Sequence, residues 1–300
     1  MRSPIPTSRS FPIASRWLAL AVIPIALAMV GPKCPGAGWL MVGVCKVDIT
    51  PIAPSLVDEY EAAFGGTAVV NHSDPVFMAG FGGNRQATSY HDRLWARGVV
   101  VEGFGGRVAI VTLDVVGYFL NEIETARAMV AAESEVDFLV VSSTHQHEGP
   151  DTIGIWGPDP ITTGIDFAYL DFVNASIADC VDAAAANMQR ARVKFATTDS
   201  EGLSLGLDVE DDGLGVSDGK VLVDDDLLAP ATDGRLVDSR LSVMQFTRRG
   251  PPRAVLATLV NFASHPESMG SGNTLITSDF PHFARCWFPA GALHNLHTRT

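Results

Sequence analysis

The chain contains 300 residues, of which 47% are hydrophobic and 18% are charged, so it can bury a sizeable core in one large domain or two modest ones. Its 21 Lys and Arg residues stand against 34 Asp and Glu residues, which gives a net charge of -13. A charge of that sign repels phosphate backbones and anionic membrane surfaces, so we expect no nucleic-acid partner.

Residues 1–33 have the composition of an export signal. Three arginines precede the apolar run 17–30, and this run contains Pro24. It is short for a membrane-spanning helix, which favours a secretory signal peptide and leaves an uncleaved N-terminal anchor as the alternative. We therefore expect an exported protein that is secreted, periplasmic or membrane-anchored through this segment.

The first elements predicted after this segment are strands. Residues 43–51 form a short strand ended by proline, and residues 53–90 are rich in loops because glycines interrupt them. Two apolar runs, 98–102 and 107–115, are joined by a glycine-rich turn and indicate a hairpin of buried strands. Residues 121–133, rich in Glu and Ala, fit a helix.

The later part of the chain continues the mixed pattern. Residues 137–142 are almost all apolar, which predicts a strand in a sheet that is covered on both faces. The clearest helix covers 166–189, because its apolar residues recur at three-to-four spacing. Further strands are predicted at 191–198, 240–247 and 253–262, with a polar, acidic stretch at 200–235. The pattern is that of a mixed α/β domain with one layered core.

The cysteines form no recognisable pattern. There are four, too few and too scattered for a disulfide framework, and no CxxC pair or Cys/His cluster indicates a structural zinc. We predict buried or free thiols, although an exported protein could pair Cys34 with Cys45.

Two histidines directly follow the strand predicted near residue 140. If the chain stays extended, alternation points His145 and His147 to one side. Two neutral imidazoles can share a divalent metal, or one can bind it while the other acts on a substrate. The turn Gly149-Pro150 leaves them at a strand mouth, where α/β folds often place their sites. The alternative is a pair of loop histidines bonded to backbone carbonyls.

His265 ends a second apolar strand in the same way. With the proline that follows it, the ring should lie at the rim of the sheet. Two strand-terminal histidine motifs in one chain favour a shared metal.

Four separated motifs then resemble a known family. They occur in the order found in neutral/alkaline non-lysosomal ceramidases, and the similarity spans residues 42–285. The motifs are Gly43–Pro51, His91–Arg97, Thr144–Pro150 and Asn261–Pro266. The resemblance implies a secreted or membrane-associated zinc amidase, with peripheral membrane contact, that cleaves the N-acyl bond of ceramide to sphingosine and a fatty acid.

The resemblance also implies roles for individual residues. His145 and His265 would be zinc ligands, His147 would sit beside the metal and help to hold the substrate oxyanion, and His91 would lie in the substrate pocket. The family motif reads Thr-His-Thr-His-Ser-Gly-Pro, so Gln146 and Glu148 depart from it. A carboxylate at Glu148 would change the polarity of the pocket.

Other parts of the family pattern do not occur before Thr300. In the family a Glu and a Tyr complete the zinc site, and a serine-bearing segment and an immunoglobulin-like domain follow. We expect residues 42–285 to form a layered α/β sandwich with mixed sheets that is incomplete and lacks the immunoglobulin-like domain. An irregular tail, 286–300, should follow it. With two protein ligands, zinc should be held weakly, so we expect little or no activity from these 300 residues.

Two other functions remain open. The chain could be an inactive exported fragment whose histidines are structural, or a metal-dependent hydrolase of another N-acyl substrate such as peptidoglycan. The sequence defines neither the acyl chain nor the oligomeric state.

Overall fold

A computed structural model describes residues 39–103, 105–199 and 240–287 of the chain. The predicted signal segment 1–33, the acidic stretch 200–235 and most of the predicted tail 286–300 lie outside the described residues. Among those that are described, none of the helices combines the length and the apolar character needed to cross a bilayer.

The described chain contains both strands and helices. The strands are β1 (Met41–Asp48), β2 (Ser89–Tyr90), β3 (Trp95–Gly103), β4 (Gly106–Leu113), β5 (Phe138–Ser143), β6 (Gln189–Asp199), β7 (Arg240–Arg248), β8 (Val255–Asn261) and β9 (Leu275–Ile276). The helices are α1 (Val57–Phe64), α2 (Leu120–Met129), α3 (Phe167–Ala186) and α4 (Phe280–Trp287), with 3₁₀ turns at Pro54–Leu56 and Ala132–Ser134.

Within the described residues, seven strands form one mixed sheet in the order β5-β4-β3-β1-β6-β7-β8. The pair β4–β5 is parallel and the other neighbours are antiparallel. β2 and β9 form a separate parallel pair. The mixed α/β class is therefore confirmed, and so is the hairpin, in which β3 and β4 pair from Ala96–Leu113 to Gly103–Gly106.

Helix α3 covers one face of the sheet. Its first turn is capped by Asp166, whose side chain accepts hydrogen bonds from the backbone amides of Ala168 and Tyr169. The apolar residues at three-to-four spacing, among them Val173 and Ile177, are buried against β1 and β3. The approach is close because Gly43 lies under the helix: a Cβ there would stand 1.7 Å from the carbonyl oxygen of Ala184.

The structure corrects the prediction for the cysteines. Cys45 and Cys180 form a disulfide across a sequence separation of 135 residues. Cys45 lies on the face of β1 that α3 covers, and Cys180 points down from the helix, so packing brings together residues that no local pattern connects. Cys286 is free and exposed, and Cys34 lies outside the described residues.

The expectation that both faces of the sheet are covered is wrong at β5. This strand lies at the sheet edge, and Phe138 and Val140 are 65% and 49% exposed. Their neighbours Leu139 and Val141 pack on the hydrophobic core. An apolar run therefore does not require two covered faces, because an edge strand can leave one side open.

Two helices were not predicted. α1 lies inside the stretch expected to be loops, where Tyr60 is buried and packs edge-on against Phe64 and Tyr90. α4 overlaps the start of the predicted tail, which therefore begins as helix. Both span eight residues, too few for sequence periodicity to distinguish them from loops.

The pairing of Cys45 with Cys180 can be tested in solution. Peptide mapping without reductant should recover Cys45 linked to Cys180, and reduction should lower the free energy of unfolding by about 2–4 kcal/mol, because the crosslink restricts the unfolded chain. Urea denaturation with and without reductant measures this, and Cys286→Ser should behave like the parent. Recovery of Cys45 and Cys180 as free thiols would contradict the pairing.

Candidate metal centre

The parallel strands β4 and β5 end at the same edge of the sheet and position the first histidine. The backbone amide of Thr144 donates to the carbonyl of Leu113 at 2.9 Å, and that of His145 donates to Val115 at 3.1 Å. The chain does not stay extended as the alternation argument assumed, because His145 has a φ of 62°. This left-handed conformation is uncommon for a residue with a side chain and is often found at functional sites.

The ring of His145 is oriented by the neighbouring chain. Its Nδ1 lies 2.5 Å from the carbonyl oxygen of Val116, so Nδ1 carries the proton and donates it. In the neutral ring Nε2 then carries no proton and can bind a cation. A backbone carbonyl that fixes the tautomer of a histidine in this way is common behind metal ligands.

His147 is held from three sides. Its backbone amide donates to the carbonyl of Pro266 at 3.1 Å, which ties it to the loop after β8. Phe81 packs edge-on against its ring at 5.1 Å between centroids. Gly80 has a φ of 103° and lies so close that a Cβ would stand 2.2 Å from the Cβ of His147. A residue larger than glycine at position 80 would therefore displace the histidine.

His265 completes a cluster of three. It lies in the loop after β8, and its ring stacks on His145 at 4.6 Å and meets His147 edge-on at 4.5 Å. One ligand atom from each histidine lies within 4.8 Å of the other two. These residues, called here the histidine trio, could hold a metal ion.

The pKa shifts of His147 and His265 favour the binding of a cation. Burial, followed by the nearby His265 and His145, lowers the pKa of His147 to about 4. Burial also lowers the pKa of His265, although the carboxylate of Glu267 opposes the shift. Neutral imidazoles bind metals, whereas imidazolium does not.

Two ring nitrogens in the trio have unmet hydrogen-bonding capacity. Nδ1 of His147 and Nε2 of His265 are buried without a hydrogen-bond partner. Leaving buried polar atoms unpaired costs free energy, and a bound metal would remove that cost. The donor set is imidazole nitrogen, which suits zinc, so these residues fit the expected ion.

Glu267 is a neighbour of the trio to which sequence reasoning assigned no role. Its Oε2 lies 3.3 Å from Nδ1 of His147, without hydrogen-bond geometry. It is one residue beyond the proline that follows His265, and no spacing rule indicated that it reaches back to His147.

Glu148 does not join the trio. Its carboxylate is completely buried and accepts hydrogen bonds of 2.8 Å from Arg85 and from Asn273. Burial raises the pKa of Glu148, and these two partners oppose the shift. The Glu148 carboxylate, which was expected to change the polarity of the pocket, therefore belongs to a separate polar cluster with Arg85 and Asn273.

His91 is also outside the trio. It is exposed, and its Nδ1 lies 3.0 Å from the buried carboxylate of Asp92. The same carboxylate lies 3.3 Å from Nδ1 of His282 in α4. The structure therefore brings together three of the four predicted histidines and places the fourth in a different hydrogen-bond network.

Comparison with solved structures finds neutral ceramidase from Pseudomonas aeruginosa, with a TM-score of 0.57 and 18% sequence identity over 87% of this chain and 37% of that one. A ceramidase complexed with C2 has a TM-score of 0.53 and 19% identity over 80% of this chain and 33% of that one. The chain has the neutral ceramidase fold.

The likeness to neutral ceramidase concerns part of those proteins. The chain spans about a third of the length of the ceramidase chains that it matches. No protein-family model matches the sequence, and no curated protein matches it. At this identity the ceramidase structures establish the fold, and the role of each residue rests on its own surroundings.

The low pKa of His147 predicts how stability depends on pH. A histidine in the unfolded chain titrates near pH 6.5, but folded His147 titrates at about 4, so between these values the unfolded state binds the extra proton. The free energy of unfolding of the metal-free protein should therefore rise with pH across this window, by about 2–3 kcal/mol.

Urea denaturation in the presence of a chelator, at several pH values between about 4 and 7, measures this dependence. His147→Asn keeps a polar side chain without the titration, so its curve should be flatter. Equal slopes for parent and variant would show that His147 is not protected from protonation.

Proposed function

We propose that the chain is a zinc-dependent amidohydrolase of the neutral ceramidase type, which hydrolyses the N-acyl amide bond of ceramide to sphingosine and a fatty acid. The convergence of His145, His147 and His265 within a ceramidase fold is the observation that supports it most. His265 is far in the sequence from His145 and His147, which makes a chance meeting of the three imidazoles a weak explanation.

In this proposal His145 and His265 hold the zinc ion through ring nitrogens. Zinc bound there supplies Lewis acidity, which lowers the pKa of water and polarises the amide carbonyl. The hydrogen bond from His145 to Val116 keeps its tautomer fixed. Asp92, His91 and His282 are not metal ligands in this proposal. His91 is proposed to contact the substrate away from the metal.

Two roles for His147 agree with its position. The family resemblance makes it the donor that stabilises the oxyanion of the substrate, while its distance to the other histidines suits a third ligand. A third histidine ligand would remove the reason for expecting weak zinc binding. Metal content separates the roles: His147→Gln keeps zinc if the residue is an oxyanion donor and loses it if it is a ligand.

The disulfide supports the proposed export. Disulfides persist in oxidising compartments, and Cys45–Cys180 links a strand and a helix of the core. We propose that residues 1–33 direct the chain out of the cytoplasm and that 42–285 form the ceramidase-like domain, which meets its lipid substrate at a membrane surface.

The main alternative is a protein whose histidines are structural. The bond from His145 to a backbone carbonyl agrees with that alternative. The grouping of three ligand atoms within 4.8 Å of one another favours the metal site instead, and the unpaired nitrogens of His147 and His265 agree with it.

Zinc content after dialysis tests the proposed site. Both His145→Ala and His265→Ala should lose bound zinc, since each removes a ligand, whereas His282→Ala should keep it because that imidazole is outside the trio. Elemental analysis of the purified proteins gives the stoichiometry. Unchanged zinc in both trio variants would refute the site.

A panel of N-acyl amides tests the substrate. Any hydrolysis by the zinc-loaded chain should be faster for ceramide than for peptidoglycan amides, and chelation should abolish it. Equal rates for all amides would contradict the ceramide assignment and favour another N-acyl substrate.

A further inference from the structure

Arg85 is a buried hub beside the histidine trio. Its side chain is 8% exposed, and its guanidinium donates to Oε2 of Glu148 at 2.8 Å and to the carbonyl of Asn273 at 3.0 Å. It also donates to the carbonyl of Ala79 at 2.5 Å and to the carbonyl of His147. One side chain therefore joins the loop that carries Gly80, the loop that carries His147 and the segment before β9.

Glu148 is held by hydrogen bonds to its side chain and to its backbone. Asn273 donates its Nδ2 to the same carboxylate oxygen that Arg85 binds. The backbone amide of Glu148 donates to the side chain of Gln146, and its carbonyl accepts from Thr277 at 3.2 Å. These bonds restrict the residue next to His147 through its side chain, its amide and its carbonyl.

From these contacts we propose that Arg85 and Glu148 are a positioning pair that sets His147 in register with the other two histidines. The inference rests on the proposed metal site. Arg85 binds the carbonyl of His147, Pro266 binds its amide, and Gly80 packs against its Cβ. With the backbone held at both ends, little freedom remains beyond rotation of the imidazole.

The pair acts on one histidine of the trio. Arg85 bonds to the backbone of His147 and to the adjacent Glu148, whereas His145 is anchored by Val115 and Val116 through separate bonds. A change in the pair should therefore displace His147 relative to His145 rather than dismantle the whole centre. Gln146 and Glu148, the two residues that depart from the family motif, belong to the same hydrogen-bond network.

Charge makes the two residues interdependent. Both are buried, so removing one leaves the other as an uncompensated charge, whereas replacing both with apolar residues of similar volume removes that cost. Lysine at position 85 would keep the charge but lose the planar fork that reaches several acceptors at once. Single and double variants can thus separate positioning from folding.

Cobalt(II) is the probe for the test, because its visible absorption reports the number and geometry of ligands. The parent should bind Co²⁺, and Arg85→Lys and Glu148→Gln should weaken its affinity about 10- to 100-fold, as changes behind metal ligands commonly do, with an altered spectrum. Arg85→Met/Glu148→Met should melt at a higher temperature than either single variant, because no uncompensated charge remains, yet it should show the same weakened affinity.

Glu102→Gln is the matched control. Glu102 pairs with Arg107 at 2.5 Å at the far end of the β3–β4 hairpin, so its loss should leave the cobalt affinity and spectrum unchanged. If the single variants do not fold, the double variant decides the question.

Parental affinity and spectrum in a folded double variant would overturn the positioning role alone. A parent that does not bind Co²⁺ would overturn the proposed metal site and this inference with it.

Discussion

The parallel pairing of β4 and β5 is the constraint on which the candidate site depends. Leu113 and Ser143 are register partners, so both strands end at one level and the chain leaving β5 passes the carbonyls at the end of β4 and just after it. Those carbonyls bind the amides of Thr144 and His145 and the ring of His145. Strand pairing thus places His145, and the loop after β8 brings His265 next to it.

The trio stores unfavourable free energy in the protein without metal. Two buried nitrogens lack partners, and His145 has a left-handed backbone. Each of these features costs stability, and packing elsewhere must compensate for it. The α3 face supplies much of that packing, since Val173, Ile177 and Val181 are completely buried there. The packed layer of sheet and α3 therefore supports the more polar sheet edge at which the histidine trio lies.

The sequence allowed the prediction of features whose cause is local. The hairpin β3–β4 and helix α3 follow from short-range periodicity, and the two histidine motifs were identified because they come just after apolar strands. Their meeting with His265 was inferred from a shared position at strand ends, and the structure brings the three together.

Features that depend on tertiary contacts were not predictable. Arg85 meets Asn273 across 188 positions of sequence, and neither residue belongs to a recognisable motif. Cys45 finds Cys180 only because α3 packs on β1, and the exposure of Phe138 depends on which strand takes the edge. In each case the residue type was visible, but its partner was set by packing that a single sequence does not encode locally.

The open side of β5 has a consequence for how the protein behaves in concentrated solution. Within the described residues β5 pairs with β4 on one side alone, and it carries exposed Phe138 and Val140. A free strand edge beside apolar side chains is a template on which another chain can add a strand. Two molecules must meet for this to occur, so self-association grows with the square of concentration, while occupancy of the histidines by metal depends on each molecule separately. If a second chain added a strand there, high concentration would favour the assembly, whereas metal binding to the histidines would not depend on it.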